Sequence, residues 1–452
     1  MPATILSSDT FATQANATAA PALAALKREG WERFQSLPWP SHDDERWRFA
    51  TIAPASDIGA FALPCAPDTA LAAALEARSC LVRTVAAKLV FVNGHPSGGI
   101  ATDARLAARG VVFEPLDEAM RRRPGWVAEH LLKAGATLGS EKLLALHQAY
   151  TQGGYVLHVP DGVTLEHPVA VYQWHTGDGV AVFPHALIVA GKNSRVDVVD
   201  FHLSADATGS ILAVSAADIY AGEGARVSRT VVQQWSPHGI SHQIDNASVE
   251  RGGQAVSISV NLGARRARME NAVRLDGTGA DARLYGLTVA EGRQEFDQRT
   301  LQIHNAGGAT SDLLYKNALL DSARTLFSGL IRVAPGAQGT DAYQTNRNLL
   351  LSPDAEANSL PGLQIEANDV KCSHGATTGQ LDPEELFYMR ARGIPKDAAH
   401  ELLVFGFFEE IINRVANPEL ATALREFVQA KFQHTTARSC ACYWCTVLRT
   451  TA

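Results

Sequence analysis

Five glycine-led stretches decide the fold: Gly191-Lys-Asn-Ser-Arg-Val196, Gly222-Glu-Gly-Ala-Arg-Val227, Gly252-Gly-Gln-Ala-Val256, Gly277-Thr-Gly-Ala-Asp-Ala-Arg-Leu284 and Gly307-Gly-Ala-Thr-Ser-Asp-Leu313. Their leading glycines lie 31, 30, 25 and 30 residues apart. Each interval has room for two strands and two turns. A unit of that size cannot bury its own apolar face and must stack on copies of itself. Between the glycines run short alternating segments: Val156–Val159, Arg195–Val199, Arg226–Val232, Ala255–Val260 and Arg283–Val289. Val, Ile and Thr recur in them, as a pleated, half-buried surface prefers. We read a parallel β-helix whose turn glycines take positive φ. A jelly roll or sandwich with accidental spacing is the competing arrangement.

The β texture extends over residues 153–370. Residues 1–152 read as a mainly helical domain with short strands. Pro21 to Leu37, Ala70 to Arg78 and Glu141 to Tyr150 have helical patterns, and Lys88–Val92 is a strand ending in the turn Asn93-Gly94. Everything up to about Ala20 reads as a mobile lead-in. Residues 371–434 read as a C-terminal helical domain. Asp382-Pro383-Glu384-Glu385 carries an N-cap Asp, a Pro at the first helical position and a capping-box Glu, and Gly393 ends that helix. A second helix runs from Lys396 to about Val415 and a third to about Phe432. Residues 435–452 read as a flexible tail containing Cys440, Cys442 and Cys445.

Composition narrows the function. The chain has 452 residues, enough for two or three domains. Hydrophobic residues make up 46% and charged residues 19%, which excludes wholesale disorder. A net charge of −7 with no dense basic patch argues against a nucleic-acid reader. The apolar run Leu402–Phe408, broken by Gly406, is far too short to cross a bilayer. Met1 to Leu26 has neither Lys nor Arg and no continuous apolar core, so the expectation is a cytoplasmic protein without a secretory signal. Six cysteines, only Cys65 and Cys80 of them before residue 372, fit a reducing compartment.

Most enzyme signatures are missing: there is no phosphate-binding G-x-x-x-x-G-K-[ST] loop and no G-x-S-x-G elbow. His400-Glu-Leu-Leu-Val404 begins like a zinc-protease helix, but Val404 stands where the second His belongs. His158, His167, His185 and His304 fall in β patterns or turns and read as structural. The pair Cys372 and His374 stands apart. Two residues apart on an extended strand, they share a face, and a thiolate beside an imidazole can hold a soft or borderline metal. Lys371 is placed to lower the thiol pKa. Two ligands do not close a site, so a second chain would have to complete it; a buried Cys beside a surface His is the plain alternative. Cys442 and Cys445 form a C-x-x-C with no second pair.

The run Asp369-Val-Lys-Cys-Ser-His-Gly-Ala-Thr-Thr-Gly-Gln-Leu-Asp382, followed by Glu385-Leu-Phe-Tyr-Met-Arg-Ala-Arg-Gly-Ile394, resembles the SufB/SufD family of iron–sulfur cluster assembly scaffolds. Its Lys-Cys-Ser-His-Gly-Ala-Thr wording resembles the SufD side of that family. Leu326-Phe-Ser-Gly-Leu-Ile331 and Thr345-Asn-Arg-Asn-Leu-Leu-Leu351 fit as well. The resemblance is specific from about Leu313 to Val415 and weak over the first 150 residues. It implies a right-handed parallel β-helix core flanked by N- and C-terminal helical domains. It also implies a non-enzymatic subunit that pairs with SufB through the β-helix and binds the SufC ATPase through its C-terminal helices. A transient iron–sulfur cluster would then form at the SufB–SufD interface, with His374, and less certainly Cys372, as ligands. ATP hydrolysis would belong to SufC, with no nucleotide bound by this chain, and a homodimer could form when SufB is missing. On the helices, Glu384, Phe387, Arg390, Arg392, Glu409 and Glu410 are the candidate SufC-docking positions. The tail cysteines lie outside the family pattern. Two other readings compete: a stand-alone β-helix enzyme acting on carbohydrate through Asp197, Asp200 or Asp218, and a SufB-like cluster-carrying subunit.

Overall fold

The computed structural model describes residues 4–18, 20–100 and 104–436. The N-terminal part contains α1 (Ser8–Ala17), α2 (Pro21–Ser36), α3 (Ala55–Ile58) and α4 (Thr69–Arg78). The hairpin β1 (Ala87–Val92) and β2 (His95–Ile100) follows, then α5 (Ala104–Ala108), β3 (Val112–Pro115), α6 (Leu116–Arg122), α7 (Pro124–His130) and α8 (Glu141–Tyr150). The solenoid adds β4 (Tyr155–Val159), β5 (Val169–His175), β6 (Val180–Val182), β7 (His185–Ala190), β8 (Arg195–Ser204) and β9 (Ile211–Ala221). It continues with β10 (Arg226–Gln234), β11 (Ile240–Val249), β12 (Gln254–Asn261), β13 (Arg266–Leu275), β14 (Asp281–Ala290), β15 (Glu295–His304) and β16 (Thr310–Leu319). The last strands are β17 (Arg324–Val333), β18 (Thr340–Leu350), β19 (Glu356–Ile365) and β20 (Val370–Gly379). Then come α9 (Pro383–Ala391), α10 (Lys396–Ile412) and α11 (Pro418–Thr436).

The molecule is mainly β, a parallel β-solenoid of about eight turns with helices on its flanks. Two sheets face each other. The first runs β2-β1-β5-β8-β10-β12-β14-β16-β18-β20, and the second β3-β4-β7-β9-β11-β13-β15-β17-β19, with β6 beside β9. Among β4–β20 every pairing is parallel, and Arg195, Arg226, Gln254, Asp281 and Thr310 stack in register. The glycine period reflects this stack, but the turn position repeats more evenly than the leading glycines do. Positive φ recurs at Asn193, Gly224, Gly252, Gly279, Gly308 and Gly339. Asn, which tolerates the left-handed region, replaces Gly at the first of these corners.

Inner faces of both sheets meet in one apolar layer, with Val171, Val198, Val227 and Leu284 opposite Ile188, Ala217 and Val273. Helices cover the outer faces. Trp31, Leu146 and Tyr150 of α2 and α8 pack on Leu212, Val214 and Ile240 of the second sheet. Val404, Phe408 and Ile411 of α10 pack on Phe201, Val232, Ile258 and Leu287 of the first. Strands buried on both faces read as nearly continuous apolar runs.

Three expectations need correction. The lead-in before Ala20 is helix α1, pinned because Phe11 stacks on Trp31 at 4.8 Å and Tyr150 Oη donates to the Ile5 carbonyl at 2.8 Å. The helical region 1–152 contributes strands to the solenoid: β1 joins β5 in parallel and β3 joins β4 antiparallel. The sheet also runs past residue 370, because Val370–Gly379 completes the ladder on β18. The tail with Cys440, Cys442 and Cys445 lies outside the described residues.

Candidate functional site

The two ends of the solenoid differ, and the C-terminal one leaves its parallel ladder open. At the N-terminal end β2 turns back antiparallel on β1, and Glu76 of α4 accepts from the Gly99 backbone N–H. At the far end β19 and β20 are the last strands of their sheets, and no described strand pairs with their free edges. Tyr343, Leu360, Leu363 and Ile365 are large apolar side chains exposed there, Ile365 to 40%. Free backbone edges with apolar side chains beside them invite a further strand.

Cys372 and His374 lie on β20 at this open end. Their register partners on β18 are Ala342 and Gln344, both buried, whereas Asp341 and Tyr343 between them are exposed. Cys372 and His374 therefore face the interior of the solenoid, one rung beyond its last covered layer. Cys372 is half-buried and packs beside Ile331, Val333 and Ala342, while His374 is exposed.

The Cys372 thiol differs from the sequence expectation. Burial pushes its pKa up, the Asp341 carboxylate pushes the same way, and a hydrogen bond from the Ala342 backbone N–H opposes them. Lys371, expected to lower it, is not among the groups that shift the thiol; it lies in register with Asp341. Among the described residues no group of three His, Cys, Asp or Glu side chains is placed to hold a metal ion. Cys372 and His374 thus place a thiol and an imidazole on one face, fewer side chains than a closed metal site needs.

The candidate docking residues divide. Helix α9 buries none of its side chains, and Phe387 and Tyr388 are 75% and 59% exposed. Its N-terminus forms as the sequence indicates, with Asp382 Oδ1 accepting from the Glu384 N–H at 2.8 Å. Glu384, Arg390 and Arg392 are exposed, and Arg392 lies over the Tyr388 ring. Glu409 and Glu410 are not free. Glu409 pairs with Arg425 of α11, and Glu410 pairs with Lys316 of β16 at 2.6 Å and Arg347 of β18 at 3.4 Å. They fasten α10 to its own molecule.

The three acids of the carbohydrate-enzyme reading share no cleft. Asp200 points into the solenoid and binds Arg229. Asp218 is under the N-terminal helices, where it accepts from the Leu132 N–H at 2.6 Å and lies 3.2 Å from His185 Nε2. Asp197 alternates with the inward Val196 and Val198, so it sits on the outer side of the first sheet. Sequence reasoning missed both buried networks, since nothing in the spacing of Asp200 or Asp218 marks a partner on another strand.

A family model described as "SUF system FeS cluster assembly, SufBD core domain" matches residues 173–407, and one described as "SufBD protein N-terminal region" matches residues 9–171. The chain belongs to the SufBD family. It is 32% identical over 327 residues to the iron–sulfur cluster assembly protein SufD of Bacillus subtilis, covering 70% of this chain and 72% of that one. A SufBD family protein of Synechocystis is 29% identical over 418 residues, 90% of each chain. SufD of Escherichia coli is 40% identical over 157 residues, 35% of this chain and 37% of its own. This SufBD protein is accordingly an iron–sulfur cluster assembly protein, and its family core runs from within β5 to beyond β20, the strand of Cys372 and His374. Among the described residues no helix is long and apolar enough to cross a membrane.

Proposed function

We propose that this SufBD chain is the SufD-type, non-enzymatic half of a scaffold that pairs with SufB through the open end of its solenoid. The observation that carries this reading is the coincidence of three features at one end: unpaired strand edges, exposed Leu360, Leu363 and Ile365, and the inward-facing donors Cys372 and His374. A second solenoid stacked there would cover His374 and supply the remaining donors. The nascent cluster is cargo in this scheme, held by the His374 imidazole and partner thiolates. Cys372, kept protonated by burial, serves as a reserve ligand or a packing neighbour. ATP hydrolysis belongs to a SufC subunit seated on α9, where Phe387 and Tyr388 supply an apolar surface that nothing in the described chain covers. The site of action is the cytoplasm.

The test is co-expression of this chain, tagged, with SufB and SufC, followed by native mass of what co-purifies. The expected mass is one SufB, one copy of this chain and two SufC. A lone monomer or a homodimer, with both partners folded and soluble, overturns the pairing. In the assembled complex His374→Ala is expected to lower cluster yield at least tenfold; an unchanged yield removes His374 from the ligand set.

A further inference from the structure

A column of neutral polar side chains runs along the inside of the first sheet to the open end. Asn261 on β12, Thr288 on β14, Asn317 on β16, Asn348 on β18 and Thr378 on β20 follow one another in register. The first four are buried, and Thr378 is exposed at the last rung. Hydrogen bonds join the rungs. Asn261 Nδ2 donates to Thr288 Oγ1 at 3.3 Å. Gln298 reaches across from β15 of the second sheet, and its Nε2 donates to Thr288 Oγ1 at 2.8 Å and to Asn317 Oδ1 at 2.9 Å. Asn317 Nδ2 donates back to Gln298 Oε1 at 3.2 Å and onward to Asn348 Oδ1 at 2.8 Å. Both amide hydrogens of Asn317 therefore have partners, as a buried amide requires.

The column is unfinished at its last rung. The Asn348 amide has two hydrogens and four acceptors in reach: Asn346 Oδ1 at 2.9 Å, Ser359 Oγ at 3.1 Å, Thr378 Oγ1 at 3.3 Å and the Thr377 carbonyl at 3.4 Å. Ser359 turns its own proton to Asn346 Oδ1 at 2.6 Å. The Thr378 hydroxyl accepts from Asn348 and donates to no described group. In the isolated chain water satisfies so exposed a hydroxyl. A solenoid seated on the open end excludes that water, and the hydroxyl then needs a partner from the other chain, because a buried polar group left without one is costly.

Apolar contact at this end cannot choose among registers, since hydrophobic attraction has no direction. A hydrogen-bonded rung can, and a slip of one residue would turn every side chain of the added strand to its other face. The inference rests on the pairing with SufB proposed above and concerns the chemistry of the partner's strand. We propose that the strand added beside β20 carries a neutral side chain with an acceptor oxygen, Asn, Gln, Ser or Thr, opposite Thr378. The polar column then continues into the partner and fixes the register of the pair.

Dissociation constants for SufB and the full chain, measured by sedimentation for wild type, Thr378→Val and Thr378→Ser, test the column. Thr378→Val keeps the shape and removes the hydroxyl, and is expected to weaken pairing about tenfold or more. Thr378→Ser keeps the hydroxyl and should stay within about threefold of wild type. Both isolated variants should melt with the wild type, since the position is exposed. The ratio of Thr378→Val to wild type should be the same at about 0.1 M and 1 M NaCl, because neutral groups are not screened. Equal or tighter pairing by Thr378→Val overturns the proposal and places an apolar side chain opposite. A loss that fades in high salt also overturns it, in favour of a charged partner. If the wild-type chain does not pair with SufB, the pairing itself falls and the column's continuation falls with it.

Discussion

Gly329 shows how little room the interior leaves at a single position. It lies inside β17, where a Cβ would stand 2.4 Å from Gln344 Oε1 and 2.7 Å from Thr300 Oγ1. The Gln344 amide also donates to the Gly329 carbonyl at 3.3 Å. Gly329→Ala must displace that amide and is expected to cost about 1–3 kcal/mol, read as a lower denaturation midpoint; an unchanged midpoint would mean the side chain relocates freely. Cys372 gives a second prediction. Its thiol pKa is raised, so the thiolate fraction near neutrality is smaller than for an ordinary cysteine. Peptide mapping after iodoacetamide treatment of the isolated chain should show Cys372 lagging exposed Cys65 and Cys80 at pH 7.5 and gaining on them as pH rises. Equal rates throughout would refute the shift. The common face of Cys372 and His374 was legible in the sequence, because strand period alone fixes it. The sign of the thiol shift was not, because Asp341 and the covering side chains come from other turns of the solenoid.

At the scale of elements, α9 and α10 behave oppositely although the sequence offers docking positions on both. Helix α10 is built into the core through Val404, Phe408, Ile411 and Ile412. Lys316 reinforces it, donating to the Phe407 carbonyl at 2.8 Å and pairing with Glu410. Phe408→Ala is expected to cost roughly 3–5 kcal/mol. Phe387→Ser on α9 should change stability by no more than about 0.5 kcal/mol, while weakening capture of SufC at least tenfold. Retained SufC binding in Phe387→Ser with Tyr388→Ser would move the docking surface off α9. Helix ends at Asp382 and Gly393 were readable from capping chemistry. The roles of Glu409 and Glu410 were not, since an exposed acid and one paired to Arg425 or Lys316 have the same local sequence. Helix α1 escaped notice for a related reason: only Phe11 and Ala15 of it are buried, and the aromatic ring that holds it belongs to α2.

For the molecule as a whole, buried histidines set the acid limit. Burial holds His147, His202 and His242 down to about 3, and His175 and His304 to about 4. In the unfolded chain each would titrate near its usual 6.5. The unfolded state therefore binds more protons between those values, and stability falls as pH drops below about 6.5 toward 4. Calorimetric melts should show a plateau above pH 7 and a steep decline below pH 6.5, with several protons taken up on unfolding. A melting temperature constant from pH 8 to pH 4.5 would contradict this account. The repeat itself was legible from glycine spacing. The involvement of β1, β2 and β3 was not, because strands that join a stack from outside the repeat carry no period of their own.

The difference between the two ends of the solenoid has a consequence for stoichiometry. In the vocabulary of polymer chemistry, a unit with two reactive ends propagates and a unit with one terminates. Here the N-terminal end is finished by antiparallel strands, β2 on β1 and β3 on β4, so that among the described strands the parallel ladder is left open at β19 and β20. On the proposed pairing, two such chains joined end to end use up both open ladders, and the product is a closed pair with a single seam. Whatever is assembled at that seam is made once per pair.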